Sequence, residues 1–136
     1  MKVLKFGGTS VGTVASLTNV KKIVESQPED VIVVVSALGG ITDRLINTAR
    51  QASKGNITYL ESLAEIVRRH NEIIEELVPS ETRSEVTTIV NAMLEELSNI
   101  FRGVSLIRDL SDRTLDIIVS YGERLSSLII SHIIRD

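Results

Sequence analysis

The spacing of apolar positions changes several times along the chain, and each change marks an element. Residues 2–7, Lys-Val-Leu-Lys-Phe-Gly, predict a short strand. Over 13–26, Val14, Leu17, Val20, Ile23 and Val24 fall near helical spacing with Lys21 and Lys22 off that face, which predicts a helix. Gln27-Pro28-Glu29-Asp30 breaks it. Residues 31–35 are all β-branched, Val-Ile-Val-Val-Val, and predict a parallel strand buried on both faces. These stretches read together as β-α-β with a right-handed crossover.

A loop, Ser36-Ala37-Leu38-Gly39-Gly40, leads into a predicted helix at about 41–53, ended by Lys54-Gly55-Asn56. From there the period is helical only. Residues 58–78 place Leu60, Leu63, Ile66, Val67, His70, Ile73, Ile74 and Leu77 on one face. After Pro79-Ser80, the run Thr82-Arg83-Ser84-Glu85 has the form of a capping box and opens a second long helix. That helix carries Val86, Ile89, Val90, Met93, Leu94, Leu97, Ile100 and Phe101. Two amphipathic helices with a short joint predict an antiparallel hairpin. Gly103 is read as the C-cap, followed by an irregular connection to about Leu110 and a last helix from about Asp112. There are no repeats or linkers. The chain stops at Asp136 inside the predicted last helix with Ile133 and Ile134 still apolar, and two strands are too few for a covered sheet. The expectation is an amino-terminal segment of a longer protein.

Composition narrows the possibilities. The 136 residues are 43% hydrophobic and 24% charged, enough to bury a core and stay in solution. Aromatic residues make up 3%, so Ile, Leu, Val and Ala must build that core. The net charge of −3 gives no electrostatic basis for binding nucleic acid or an anionic membrane. There is no cysteine, which removes disulfides and thiolate metal sites. His70 and His132 lie far apart with no second ligand a turn away, so no metal site is expected. The longest apolar runs are too short to cross a bilayer, and the start lacks a long apolar signal segment. A cytoplasmic location is the expectation.

Three stretches could hold chemistry. In Lys5-Phe6-Gly7-Gly8-Thr9-Ser10, glycines after a strand let main-chain N–H groups approach an anion. A helix starting near Thr9 or Ser10 would aim its positive end there, and Lys5 would add a point charge. The arrangement is neither a P-loop nor a dinucleotide fingerprint. The plain alternative is a glycine turn with a hydroxyl cap and a solvated lysine. The second stretch, Ser36 to Asp43, lies at the same edge of the sheet and would hold a small polar substrate. Its alternative is a connecting loop in which Thr42 or Asp43 caps the next helix. In the third, Ser120-Tyr121-Gly122-Glu123-Arg124, a helix-interior glycine marks close approach by a backbone or a ligand. Glu123 could grip an ammonium group, or Gly122 could serve packing beside a solvated Glu-Arg pair.

Taken together, Lys5-Phe6-Gly7-Gly8-Thr9-Ser10, then Val33-Val34-Val35-Ser36-Ala37 with Ile41-Thr42-Asp43, then Gly122-Glu123, resemble the aspartate kinases over the whole chain. The resemblance implies the α/β/α sandwich of the amino-acid kinase superfamily, partial here, with a long helical hairpin. It implies transfer of the γ-phosphoryl of ATP to the β-carboxylate of L-aspartate, the first step towards lysine, threonine and methionine. Lys5 would be catalytic, and Gly7, Gly8, Thr9 and Ser10 would line the phosphate site. Ser36, Thr42 and Glu123 would bind aspartate, Glu123 at its α-ammonium. Mg²⁺ would be carried by the nucleotide phosphates. The family's adenine pocket, a catalytic aspartate, an arginine for the substrate α-carboxylate and the regulatory domains fall outside this chain. The isolated segment is therefore expected to be inactive, and the complete protein to be a homo-oligomer. The family includes fusions with homoserine dehydrogenase, in which case NADP would be a second cofactor. A non-catalytic helical interaction module is the rival reading.

Overall fold

The elements run in the order β1 (Lys2–Phe6), α1 (Val14–Glu25), β2 (Val31–Val35), α2 (Ile41–Ser53), α3 (Tyr59–Leu77), α4 (Ser80–Ile107) and α5 (Asp112–Ile134). They are seen in a computed structural model that describes residues 1–134. β1 and β2 pair in parallel, with Lys5 opposite Val34 and Phe6 opposite Val35. The β-α-β reading therefore holds in its elements and pairing.

The sheet is less enclosed than its β-branched composition suggests. Leu4, Phe6, Val31, Val33 and Val35 are half-buried on one face. On the other, Val3 is 65% exposed, Ile32 49% and Val34 43%. The expectation of a strand buried on both faces is therefore wrong for β2. Side chains alternate across a strand, so helices on one side bury only every second residue. Among the described residues the fold is a two-stranded sheet against a helical layer. This is part of a sandwich and mostly helical.

The core lies among the last four helices. Ile41 and Leu45 of α2, Ile66 of α3, Leu97 of α4, and Ile118 and Leu125 of α5 are fully buried. The α3–α4 hairpin forms as its periodicity predicts. The Tyr59 ring at the start of α3 packs tilted against Phe101 near the end of α4, with centroids 6.4 Å apart, which fixes the antiparallel arrangement.

The hairpin's ends differ from expectation. The joint is Val78-Pro79, and α4 starts at Ser80 rather than at the Thr82–Glu85 box. Buried Val78 and extended Pro79 turn the chain, and the N–H groups of Thr82 and Arg83 both donate to the Pro79 carbonyl. Gly103 does not end the helix. α4 continues to Ile107 because Val104 is buried one residue later, and Arg108 closes it in the left-handed region at φ 52°. α5 is long and apolar enough by length and composition to cross a membrane. In this fold it packs against α2 and α4, with Leu125 and Ile129 fully buried.

Candidate functional site

Two turns follow β1. The Ser10 N–H donates to the Gly7 carbonyl at 3.0 Å, and the Val11 N–H to the Gly8 carbonyl at 3.3 Å. Val11 is fully buried and anchors the loop. α1 does not start at Thr9 or Ser10. Thr13 is its N-cap, in a reciprocal box in which Thr13 Oγ1 accepts from the Ser16 N–H and Ser16 Oγ accepts from the Thr13 N–H. The helix end therefore lies one loop further on than expected. The N–H groups of Gly7, Gly8 and Thr9 meet no acceptor among the described residues, so they remain free to bind an anion. A methyl group on Gly7 would meet nothing within 4 Å, so the loop is open at that point.

The second loop continues the ladder, with the Ser36 N–H donating to the Phe6 carbonyl at 3.1 Å. Buried Ala37 and Leu38 pin it, and Gly40 at φ 81° is the N-cap of α2. Neither Thr42 nor Asp43 caps that helix. Both lie exposed in its first turn, because the left-handed glycine makes the turn without a side-chain cap.

The two glycine loops touch. A Cβ on Gly39 would lie 2.9 Å from the Gly8 carbonyl oxygen and 3.0 Å from the Gly12 Cα. A Cβ on Gly8 would sit 3.8 Å from Ser36 Oγ. Gly8, Gly12 and Gly39 thus form one junction at the carboxyl edge of the strand pair. Lys5 leads into it, exposed on the open face of the sheet, and no carboxylate pairs with it among the described residues.

α5 reaches the same place. A Cβ on Gly122 would lie 2.8 Å from Ala37 Cβ and 3.2 Å from Leu45 Cδ1. The glycine therefore serves packing, and that packing brings the next residue to the sheet edge. Exposed Glu123 lines a groove with Val33, Val34, Val35, Arg124 and Ser127. Val34 is the register partner of Lys5. Arg124 lies over the Tyr121 ring at 4.4 Å. A larger cleft of about 610 Å³ runs between α2 and α3 and is lined at one end by Gly40, the residue after the junction.

Sequence reasoning missed Arg69. Its Nη1 donates to the Gly39 carbonyl at 2.7 Å and its Nη2 to the Gly12 carbonyl at 3.1 Å, so one side chain spans both loops. The only sequence signal was a long donor bordering the buried stripe of Ile66, His70 and Ile73, with nothing to say which loop it reached. The neighbouring His70 is fully buried, and its Nδ1 donates to the Ile66 carbonyl at 2.7 Å. Burial lowers the imidazole pKa, the bond to Ile66 opposes that, and the Arg69 charge adds to the lowering.

Free main-chain N–H groups stand at the carboxyl end of a parallel strand pair beside a hydroxyl-bearing loop, with an exposed lysine two residues before the first glycine. The model of the amino acid kinase family matches residues 1–136. The chain belongs to the amino acid kinase family. Its homologues include aspartokinases with and without a dehydrogenase fusion. Aspartokinase 2, chloroplastic, of Arabidopsis thaliana is 32% identical over 133 residues, covering 95% of this chain and 23% of that protein. Bifunctional aspartokinase/homoserine dehydrogenase 1, chloroplastic, of Zea mays is 29% identical over 134 residues, covering 98% of this chain and 15% of that protein. The E. coli aspartokinase III structure in complex with aspartate and ADP superposes with a TM-score of 0.86 at 30% identity, over 99% of this chain and 29% of that one. This member of the amino acid kinase family thus spans less than a third of the length of these relatives.

Proposed function

We propose that this chain is the amino-terminal part of an aspartate kinase catalytic domain and supplies the phosphate and acceptor side of its site. The observation that supports this most strongly is the glycine junction. The free N–H groups after β1 lie beside Ser36 after β2, with Lys5 exposed on the preceding strand and Glu123 in the groove along its register partner Val34.

Phosphoryl transfer requires positioning and charge neutralisation more than covalent help. Lys5 holds positive charge at the transferring phosphoryl group, and the N–H groups of Gly7, Gly8 and Thr9 orient its oxygens. Ser36 and Thr42 position the acceptor, and Glu123 binds its ammonium. An oxygen of the β-carboxylate forms the new bond to phosphorus as the bond to the leaving ADP oxygen breaks. The carboxylate is already ionised, so no general base is needed. Mg²⁺ bound with the nucleotide would supply further charge neutralisation, and none of the residues assigned here is proposed as its ligand. The exposed apolar face of Val3, Ile32 and Val34 suits cover by the remainder of the domain. On this reading the segment alone forms no acyl phosphate, and the complete protein is a homo-oligomer. A dehydrogenase fusion with its NADP remains the alternative parent.

The test is a substrate comparison in the complete protein. Aspartate should support ATP-dependent acyl phosphate formation, while glutamate and acetylglutamate should not. Preference for another carboxylate, or turnover by the isolated segment, would sink this reading. A helical interaction module would turn over none of the three.

A further inference from the structure

Arg68 and Arg69 are neighbours in α3 with opposite surroundings. Arg68 is exposed and bonds Glu65 and Glu72 on the helix surface. Arg69 is half-buried, and among the described residues no carboxylate pairs with it. Its guanidinium instead takes two main-chain carbonyls from different loops, Gly39 at 2.7 Å and Gly12 at 3.1 Å. A planar fork with fixed donor directions suits such a bridge, and a lysine cannot reproduce it.

Those two bonds also orient two peptide planes. In a trans peptide the C=O and the following N–H point in opposite directions. With the Gly12 carbonyl turned to Arg69, the Thr13 N–H points into the cap of α1, where it donates to Ser16 Oγ at 2.9 Å. With the Gly39 carbonyl turned to Arg69, the Gly40 N–H is turned away and meets no acceptor among the described residues. The bond partners of Arg69 are thus the peptides that lead into the N-caps of α1 and α2, Thr13 and Gly40.

We propose that Arg69 is a positioning residue for the phosphate and acceptor loops. It sets the separation of the two loops and the direction of the Gly40 N–H. The clamp does not depend on what the loops bind. Its consequence for turnover rests on the kinase reading above.

Two measurements separate these. Amide hydrogen exchange in this chain reads the clamp through protected N–H groups of both loops, those of Val11, Thr13 and Ile41. In Arg69→Met, exchange at all three should rise about tenfold while Ile73 and Val90 in the hairpin keep their protection. Arg69→Lys should fall between the two proteins, and it decides the matter if Arg69→Met does not fold. Unchanged exchange at the three loop amides, or a rise shared equally with the hairpin, overturns the clamp. In the complete protein, Arg69→Met should lower kcat for acyl phosphate formation by about a hundredfold at saturating substrates, with partial recovery in Arg69→Lys. Loosened loops with unchanged kcat overturn the positioning role. An inactive unsubstituted protein counts against the kinase reading, and the exchange result still decides the clamp.

Discussion

Gly122 lies so close to Ala37 that no side chain fits between α5 and the second glycine loop: a methyl group there would stand 2.8 Å from Ala37 Cβ. Ala37 is held by the buried loop and cannot swing aside as a long side chain would. Gly122→Ala should therefore destabilise the fold. Overpacking costs roughly 1–3 kcal/mol, against about 1 kcal/mol returned by alanine's helix propensity. A net loss of about 1 kcal/mol is expected in chemical denaturation. A more stable variant would mean that α5 does not hold this contact.

Gly39 and Gly7 should behave oppositely. A Cβ on Gly39 meets main-chain atoms of Gly8 and Gly12, which cannot yield cheaply, whereas a Cβ on Gly7 meets nothing. Gly39→Ala should lose about 1–3 kcal/mol of unfolding free energy. Gly7→Ala should stay within about 0.5 kcal/mol of the unsubstituted protein. On the proposed phosphate role, Gly7→Ala in the complete protein should nonetheless weaken ADP binding, because the added methyl would occupy the space through which a phosphate approaches the N–H groups. Calorimetric titration with ADP beside a denaturant curve reads both.

His70 makes stability depend on pH. The folded chain disfavours the charged imidazole through burial, so the folded pKa lies below that of the unfolded chain. Below the unfolded value of about 6.5 the unfolded chain binds a proton that the folded chain does not, and stability falls as pH drops. The slope from this group approaches about 1.4 kcal/mol per pH unit until the folded pKa is reached. Unfolding midpoints taken between pH 7.5 and 5.5 should therefore fall on acidification. In His70→Leu that part of the dependence should vanish. An equal acid slope in both proteins would show that His70 is not the group responsible.

Much of this organisation was legible in the residues. The shift from β-branched runs to helical spacing located the seven elements of the described residues, since period reports which side of each element is buried. It could not report how much cover the sheet receives, and so Ile32 and Val34 were misjudged. Local signals misled at the ends of α4. Thr82 to Glu85 has the form of a cap, and Gly103 the residue type of a stop. Burial of Val78 and Val104 moved both ends outward. Lys5, Ser36 and Glu123 could be singled out because a glycine lies within three residues of each, and the structure brings their three stretches to one edge. Arg69 could not be, because its role arises from loops distant in sequence that only the folded chain places beside it.

Removing the Lys5 charge is the decisive test of the proposed transfer site. In the complete protein, initial rates of ATP-dependent aspartyl phosphate formation are compared between the unsubstituted enzyme and Lys5→Ala, with unfolding midpoints measured on the same samples. Loss of a charge aimed at the transferring group should lower kcat by at least about a hundredfold. The exposed, unpaired side chain leaves the midpoint unchanged. An unaltered kcat in a folded Lys5→Ala protein would contradict the assignment of this loop as the phosphoryl-transfer site.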